Sequence, residues 1–217
     1  MNKTIGKVNL LAPKFVEAVK NTFENIELDE YEIAWKNLQV KAVKTIEKII
    51  KSELKDITIT IPKSKSTYPD IKFENEDGVF AIDIKSNESK KDPWFDMARL
   101  DTIIEERIQK YTEEWEVVIK YNSETKKLLN VYINLFREVV GKRHECDGVK
   151  YRPYDGKIRP KTWKDFDNNV IFWNSKADFL LGIEKSMKHR WKENIKKHLI
   201  PQLTDNEKKE FQKLFEK

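Results

Sequence analysis

The sequence predicts an α/β domain in which a sheet is flanked by helices. Amphipathic helical patterns open and close the chain, and short strand-like runs with turn residues between them occupy its middle. The 217 residues can form one sizeable core, and the 11% of aromatic residues argues against disorder. We expect one domain, 1–217, with its core at about 29–136.

Two helices are predicted before the first strand, at 11–25 and 29–54. In the second helix, Leu38, Ala42 and Ile46 recur at helical spacing while lysines occupy the other face. This pattern predicts that one side of the helix packs on the sheet.

The middle of the chain alternates between strand and turn patterns. Asp77-Gly78 is typical of a hairpin turn between two strands, and residues 95–114 predict a helix. The predicted strands are 56–61, 70–74, 79–84, 115–121 and 129–136.

The last third has a different character. Four of the six glycines lie between 141 and 182, so 141–183 predicts an irregular surface built on the sheet. The apolar run 170–173 predicts the end of a strand. Helices are then predicted at 184–199 and 205–216, separated at Pro201.

The composition favours a cytoplasmic protein with a polyanionic partner. Cys146 is the only cysteine, which fits a reducing compartment, and neither a signal peptide nor a membrane span is predicted. The net charge of +5 suits a polyanionic partner without requiring one, since a lysine-rich surface is the ordinary alternative.

The hairpin predicted at 70–84 places charged side chains together. Side chains two apart on a strand share a face, so Asp83 and Lys85 face one way while Phe80, Ile82 and Ile84 face the core. Charges spaced like these are also common on exposed strands. Their position at the end of an apolar strand favours a functional site.

Asp70 adds a second carboxylate to this face. It begins the partner strand, and pairing through the turn brings it close to Asp83 and Lys85. Two close carboxylates repel unless a cation lies between them, and a hard divalent ion with oxygen ligands meets that need. Such an ion polarises a phosphate, and the lysine can position water or stabilise charge. The residue set therefore predicts phosphodiester hydrolysis.

Pro69-Asp70 followed by Asp83-Ile84-Lys85 resembles the motif of the PD-(D/E)xK nuclease superfamily. The similarity is strongest over residues 66–87, with a weaker similarity at 171–174 and in the helix that follows. It implies a restriction-endonuclease-like core and a type II restriction endonuclease, a homodimer that cuts a short palindromic DNA site with Mg²⁺. By position, Asp70 and Asp83 would be metal ligands and Lys85 the catalytic lysine. A separate DNA methyltransferase would accompany such an enzyme.

Members of this superfamily usually add an acidic residue from the helix before the motif. Here that helix offers Glu47, at the edge of its apolar stripe, and Gln39, on the stripe itself. An amide replaces the acid in some relatives, and Glu47 ranks slightly ahead. Either residue could also lie at the edge of the stripe without a role.

A DNA-contacting region is predicted at about 141–200. Residues 141–161 contain seven Lys or Arg against three acids, with aromatic residues between them. Side chains after the run 170–173 are candidates for reading bases, because Asn suits adenine and Lys suits guanine. The predicted DNA contacts are Asn174, Ser175, Lys176, Arg143, Arg152, Tyr154 and Arg159.

Two alternatives remain open at this point. One is a repair or junction-resolving nuclease of the same superfamily, which would cut by DNA structure instead of sequence. The other is a DNA-binding protein with a degenerate nuclease fold, against which the presence of all three motif residues argues.

Overall fold

The structure is a computed structural model that describes residues 3–23, 31–62 and 67–215. The helices are α1 (Lys3–Phe23), α2 (Tyr31–Glu53), α3 (Phe136–Val139), α4 (Trp163–Asp167), α5 (Lys176–Asn194) and α6 (Asp205–Phe215). The strands are β1 (Thr58–Thr60), β2 (Ile71–Asn75), β3 (Gly78–Glu88), β4 (Glu113–Asn122), β5 (Lys127–Leu135), β6 (Lys142–Arg143) and β7 (Gly148–Val149).

Five strands form one mixed sheet in the order β1-β2-β3-β4-β5. Only β3 and β4 run parallel, and the other neighbours in this sheet are antiparallel. Strands β6 and β7 form a separate small hairpin. The predicted α/β class, with a sheet flanked by helices, is confirmed, and the sheet is mixed.

The first hydrophobic core lies between one face of the sheet and the helices α1 and α2. The central strand contributes Phe80, Ile82 and Ile84, and all three side chains are fully buried. From α2, Leu38 and Ala42 pack against this face, as the helical spacing predicts. The opposite face of β3 is therefore free to carry polar groups.

A second hydrophobic core covers part of the other face of the sheet. Val118 from β4 packs here with side chains from the segment after β5, including Phe136, Trp163 and Trp173. Gly182 of α5 is needed for this packing, since a Cβ there would lie 2.5 Å from the ring of Trp173. No helix among the described residues is both long enough and apolar enough to cross a membrane.

The prediction of a helix at 95–114 is wrong. Most of this segment is irregular, with a single π-helical turn at Ile104–Ile108. Its backbone pairs with a distant segment instead: the N–H of Met97 donates to the carbonyl of Ile158, and Arg99 forms an isolated bridge with Lys157. The apolar residues whose spacing predicts a helix are instead buried in the second core.

The strand end predicted at 170–173 is also absent. These residues form no strand, and the N–H of Val170 caps the preceding helix by donating to the carbonyl of Asp165. Helix α5 begins at Lys176, earlier than predicted, and continues into a π-helical turn at Ile195–Leu199. The strands of the predicted hairpin were found, and β3 extends to Glu88.

Candidate active site

The hairpin β2–β3 brings Asp70 and Asp83 together. Asp70 directly precedes β2, and Ile71 pairs with Ile82 across the hairpin. One carboxylate oxygen of Asp70 accepts a hydrogen bond from the backbone N–H of Ile84 at 2.7 Å. Asp70 is thereby fixed beside the strand that carries Asp83, as the sequence predicts.

Lys85 completes this group on β3. Its ammonium forms an ion pair with the carboxylate of Asp83, two residues earlier on the same face. Asp83 is only 3% exposed, whereas Lys85 is partly exposed. The pair lies where protein replaces most of the surrounding water, which strengthens its electrostatic interactions.

Glu116 is a third carboxylate at this site, and the sequence analysis missed it. It is the direct neighbour of Asp83 across the parallel pair β3–β4, and it is fully buried. One of its oxygens accepts a hydrogen bond from Nη2 of Arg107 at 3.1 Å, while Oε2 has no hydrogen-bond partner. The alternation in WEVVIKY carried the signal, because Glu116 lies between core-facing Trp115 and Val117.

Arg107 holds the base of the site together. Its Nε donates to Oε2 of Glu114 at 2.6 Å, and its guanidinium lies between the rings of Tyr68 and Phe136, at 3.7 and 4.0 Å from their centroids. The Tyr68 hydroxyl also bonds to Glu114. One fully buried cation thus faces the two buried carboxylates of Glu114 and Glu116.

Two carboxyl groups at the site, those of Asp70 and Glu116, have pKa values raised well above their usual range. Burial, reinforced by the charge of Asp83, raises the pKa of Asp70 to about 7. Burial and the same neighbour raise the pKa of Glu116 to about 8. Burial works to lower the pKa of Lys85, but the charges of Asp83 and Glu116 outweigh it and raise that pKa. The site therefore holds more negative charge than its cations balance.

Asp70 and Asp83 are the two carboxylates that could share a metal ion at this site. Among the described residues, no three His, Cys, Asp or Glu side chains form a complete metal cage. Burial and the charge of Asp83 raise the pKa of Asp70. A cation bound between the two carboxylates would offset their repulsion and lower that pKa. Two carboxylates with water in the remaining positions match the coordination that Mg²⁺ prefers.

Of the two helix residues predicted for the site, the structure brings Gln39 to it. Its side-chain N–H donates to the carbonyl of Ile84 at 2.8 Å, between Asp83 and Lys85. Glu47 lies eight residues further along α2, about 12 Å along the helix axis, and pairs with Lys51. The slight preference for Glu47 is therefore not supported.

The arginines predicted to grip phosphates are paired with acids. Arg159 is only 1% exposed, and its Nη1 lies 2.5 Å from a carboxylate oxygen of Asp96, so it does not present its guanidinium at the surface. Arg152 pairs with Asp155. Arg143 lies over the ring of Tyr151 at 4.7 Å, and of these predicted contacts Tyr154 is the most exposed.

The residues predicted to read bases lie at the start of α5. Asn174 is exposed. Ser175 caps the helix, its hydroxyl accepting a hydrogen bond from the backbone N–H of Asp178 at 3.0 Å. The ammonium of Lys176 is 3.4 Å from the carbonyl of Ile108. Ser175 therefore has a structural role that accounts for its presence, while Asn174 remains available for contact.

Comparison of the sequence with models of known protein families and with curated proteins finds no match.

Proposed function

We propose that the protein is a Mg²⁺-dependent endodeoxyribonuclease of the type II restriction class, built on a restriction-endonuclease-like core. The observation that carries the proposal is the meeting of Asp70, Asp83 and Lys85 at the polar face of one hairpin. Their spacing and strand positions match the motif of that superfamily. The pairing of Gln39 with the carbonyl of Ile84 adds the helix contact that the motif anticipates.

Each residue has a defined task in this proposal. Asp70 and Asp83 would hold Mg²⁺, which supplies Lewis acidity toward a phosphate oxygen and a more acidic bound water. The backbone N–H of Ile84 keeps Asp70 oriented. With the Asp83 carboxylate bound to Mg²⁺, the Lys85 ammonium would be free to orient the attacking water or to stabilise charge on the phosphate.

Double-stranded DNA is the substrate in this proposal. The net charge of +5 favours a polyanion, and Asn174 presents an exposed amide at the start of α5. A homodimer would present two copies of the site to a palindromic sequence. Sequence specificity would come from such base contacts and from the deformation of the DNA.

Digestion of unmodified phage DNA tests this proposal. We expect wild-type protein with Mg²⁺ to give discrete fragments, and Asp83→Asn and Lys85→Ala to give none. Glu47→Gln is the matched control, because it changes a carboxylate outside the site and should leave cutting intact. A smear that Asp83→Asn abolishes would contradict site specificity but keep the nuclease. Failure of the wild type to cut with Mg²⁺ or Mn²⁺ would contradict the proposal that the protein is a nuclease.

A further inference from the structure

Two exposed aromatic side chains lie above arginines near the candidate site. Trp94 is 57% exposed and Tyr154 is 75% exposed. The guanidinium of Arg159 lies 4.3 Å from the ring centroid of Trp94, and that of Arg152 lies 4.5 Å from the ring centroid of Tyr154. In each pair an arginine backs an aromatic ring that is itself open to solvent.

The two pairs belong to one patch because they share Asp96. Its Oδ1 lies 2.5 Å from Nη1 of Arg159, and its Oδ2 lies 3.6 Å from Nη2 of Arg152. Both guanidiniums are therefore held at one carboxylate. The rings stacked on them, Trp94 and Tyr154, are therefore both connected to Asp96 through an arginine.

The patch is held rigidly. Arg159 also donates from Nη1 to the carbonyl of Trp94 at 3.1 Å, while its Nε and Nη2 are buried without hydrogen-bond partners beneath the Trp94 ring. Arg152 is fixed from the other side by Asp155. Stacking on a fixed guanidinium restricts the ring rotamers and leaves the outer faces available.

Trp94 is also connected to the strand that bears the proposed catalytic residues. Its backbone N–H donates to the side-chain oxygen of Asn87 at 3.0 Å, and Asn87 lies two residues after Lys85 on β3. The aromatic patch is thus anchored to the end of the strand that carries Asp83 and Lys85.

We propose that Trp94 and Tyr154 form a stacking surface for an unstacked nucleobase of DNA. The inference rests on the proposed function for its partner, DNA, and is independent of cleavage. Flat aromatic faces stack on any base, and they bind bases that have left the duplex stack. Arg190, whose Nε lies 3.4 Å from the carbonyl of Pro153, the residue before Tyr154, is a further cation for the backbone phosphate.

Binding measured without metal tests the inference. Fluorescence anisotropy in EDTA would compare a labelled duplex containing one unpaired base with the same duplex fully paired. We expect wild-type protein to prefer the unpaired base, and Trp94→Ala and Tyr154→Leu each to lose that preference by roughly tenfold. Trp94→Phe and Tyr154→Phe keep an aromatic ring and should retain most of it.

Leu10→Ala provides the control, since Leu10 is an 82% exposed apolar side chain on α1, which covers the other face of the sheet. Equal affinity of wild type for the two duplexes would overturn the inference. So would an unchanged preference in both Trp94→Ala and Tyr154→Leu, or an equal loss on both duplexes. Wild-type protein that binds neither duplex would overturn it together with the DNA substrate proposed above, and would point to a protein partner for the rings. Magnesium-dependent cutting with no loss of base preference would overturn this inference alone.

Discussion

Asp83 and Glu116 are direct neighbours on the parallel strands β3 and β4, and both are buried on the same face of the sheet. Arg107 forms an ion pair with Glu116 and balances part of its charge, and Lys85 pairs with Asp83. With Asp70 beside them, these acids make a pocket of unbalanced negative charge. Burial, reinforced by the charge of Asp83, raises the pKa values of Asp70 and Glu116 in this pocket.

We predict that the metal-free protein loses stability as the pH rises from about 5 to about 8. The pKa of Asp70 rises from 3.8 to about 7 on folding, and that of Glu116 rises from 4.5 to about 8. The folded state therefore binds more protons than the unfolded state in this window, so the free energy of unfolding falls with increasing pH. Together the two groups should cost on the order of 6 kcal/mol across this window, measured by thermal unfolding in EDTA.

Two substitutions identify the source of this pH dependence. Asp70→Asn and Glu116→Gln remove the groups that take up the protons, so each should flatten the curve between pH 5 and pH 8. Asp147→Asn serves as the control, because its pKa is lowered by Lys142 and Lys185 to about 2, outside this window. A wild-type stability that is constant or increases over the window would contradict the assignment.

Mg²⁺ should stabilise the protein more at pH 8 than at pH 6. Protons compete with the cation for Asp70, whose pKa of about 7 lies between these values. Saturating Mg²⁺ at a hundred times its dissociation constant adds about 2.7 kcal/mol to the free energy of unfolding. Thermal unfolding with and without Mg²⁺ measures the difference at each pH. An equal gain at both values, or an undiminished gain in Asp83→Asn, would place the ion elsewhere.

The roles of Gln39 and Glu47 can be separated by paired substitutions. Gln39→Ala removes the hydrogen bond to the carbonyl of Ile84, which contributes about 1 kcal/mol to stability and fixes the backbone between Asp83 and Lys85. We expect the single-turnover cleavage rate to fall at least about tenfold, since small displacements of catalytic groups are costly. Glu47→Ala removes only a surface pair with Lys51 and should leave the rate unchanged. If Glu47→Ala slows cleavage and Gln39→Ala does not, then Glu47 is the helix residue that contributes to the site.

Local rules predict the hairpin and the residues on it. The alternation of Phe80, Ile82 and Ile84 with Asp83 and Lys85 follows from the two-residue period of a strand. The Asp77-Gly78 signal predicts the hairpin that brings in Asp70, although the turn itself is Glu76-Asp77 and Gly78 already pairs with Asn75. The α/β class and the packing of α2 follow from equally local periodicity. These features lie within reach of a single sequence.

The features that were missed depend on contacts between distant segments. The bond from Met97 to Ile158 replaces the helix predicted at 95–114, and nothing within that segment specifies it. The burial of Arg159 depends in the same way on Asp96, far away in sequence. The alternation of its strand could have identified Glu116 as a residue facing away from the first core. That Glu116 lies beside Asp83, however, depends on the parallel pairing of β3 with β4.

Arg107→Leu should strongly destabilise the protein. The guanidinium is fully buried, and its removal leaves the carboxylates of Glu114 and Glu116 without their cation. Breaking a buried pair from one side costs about 3–5 kcal/mol, measured here by urea unfolding at pH 8. The cost should be smaller at pH 6, because protonation of Glu116, whose pKa is already about 8, removes part of the uncompensated charge. Arg99→Leu breaks an exposed pair with Asp101 and should change stability little at either pH. If the two substitutions cost the same, Arg107 does not hold the site together, and the charge balance at Glu116 must come from Lys85 alone.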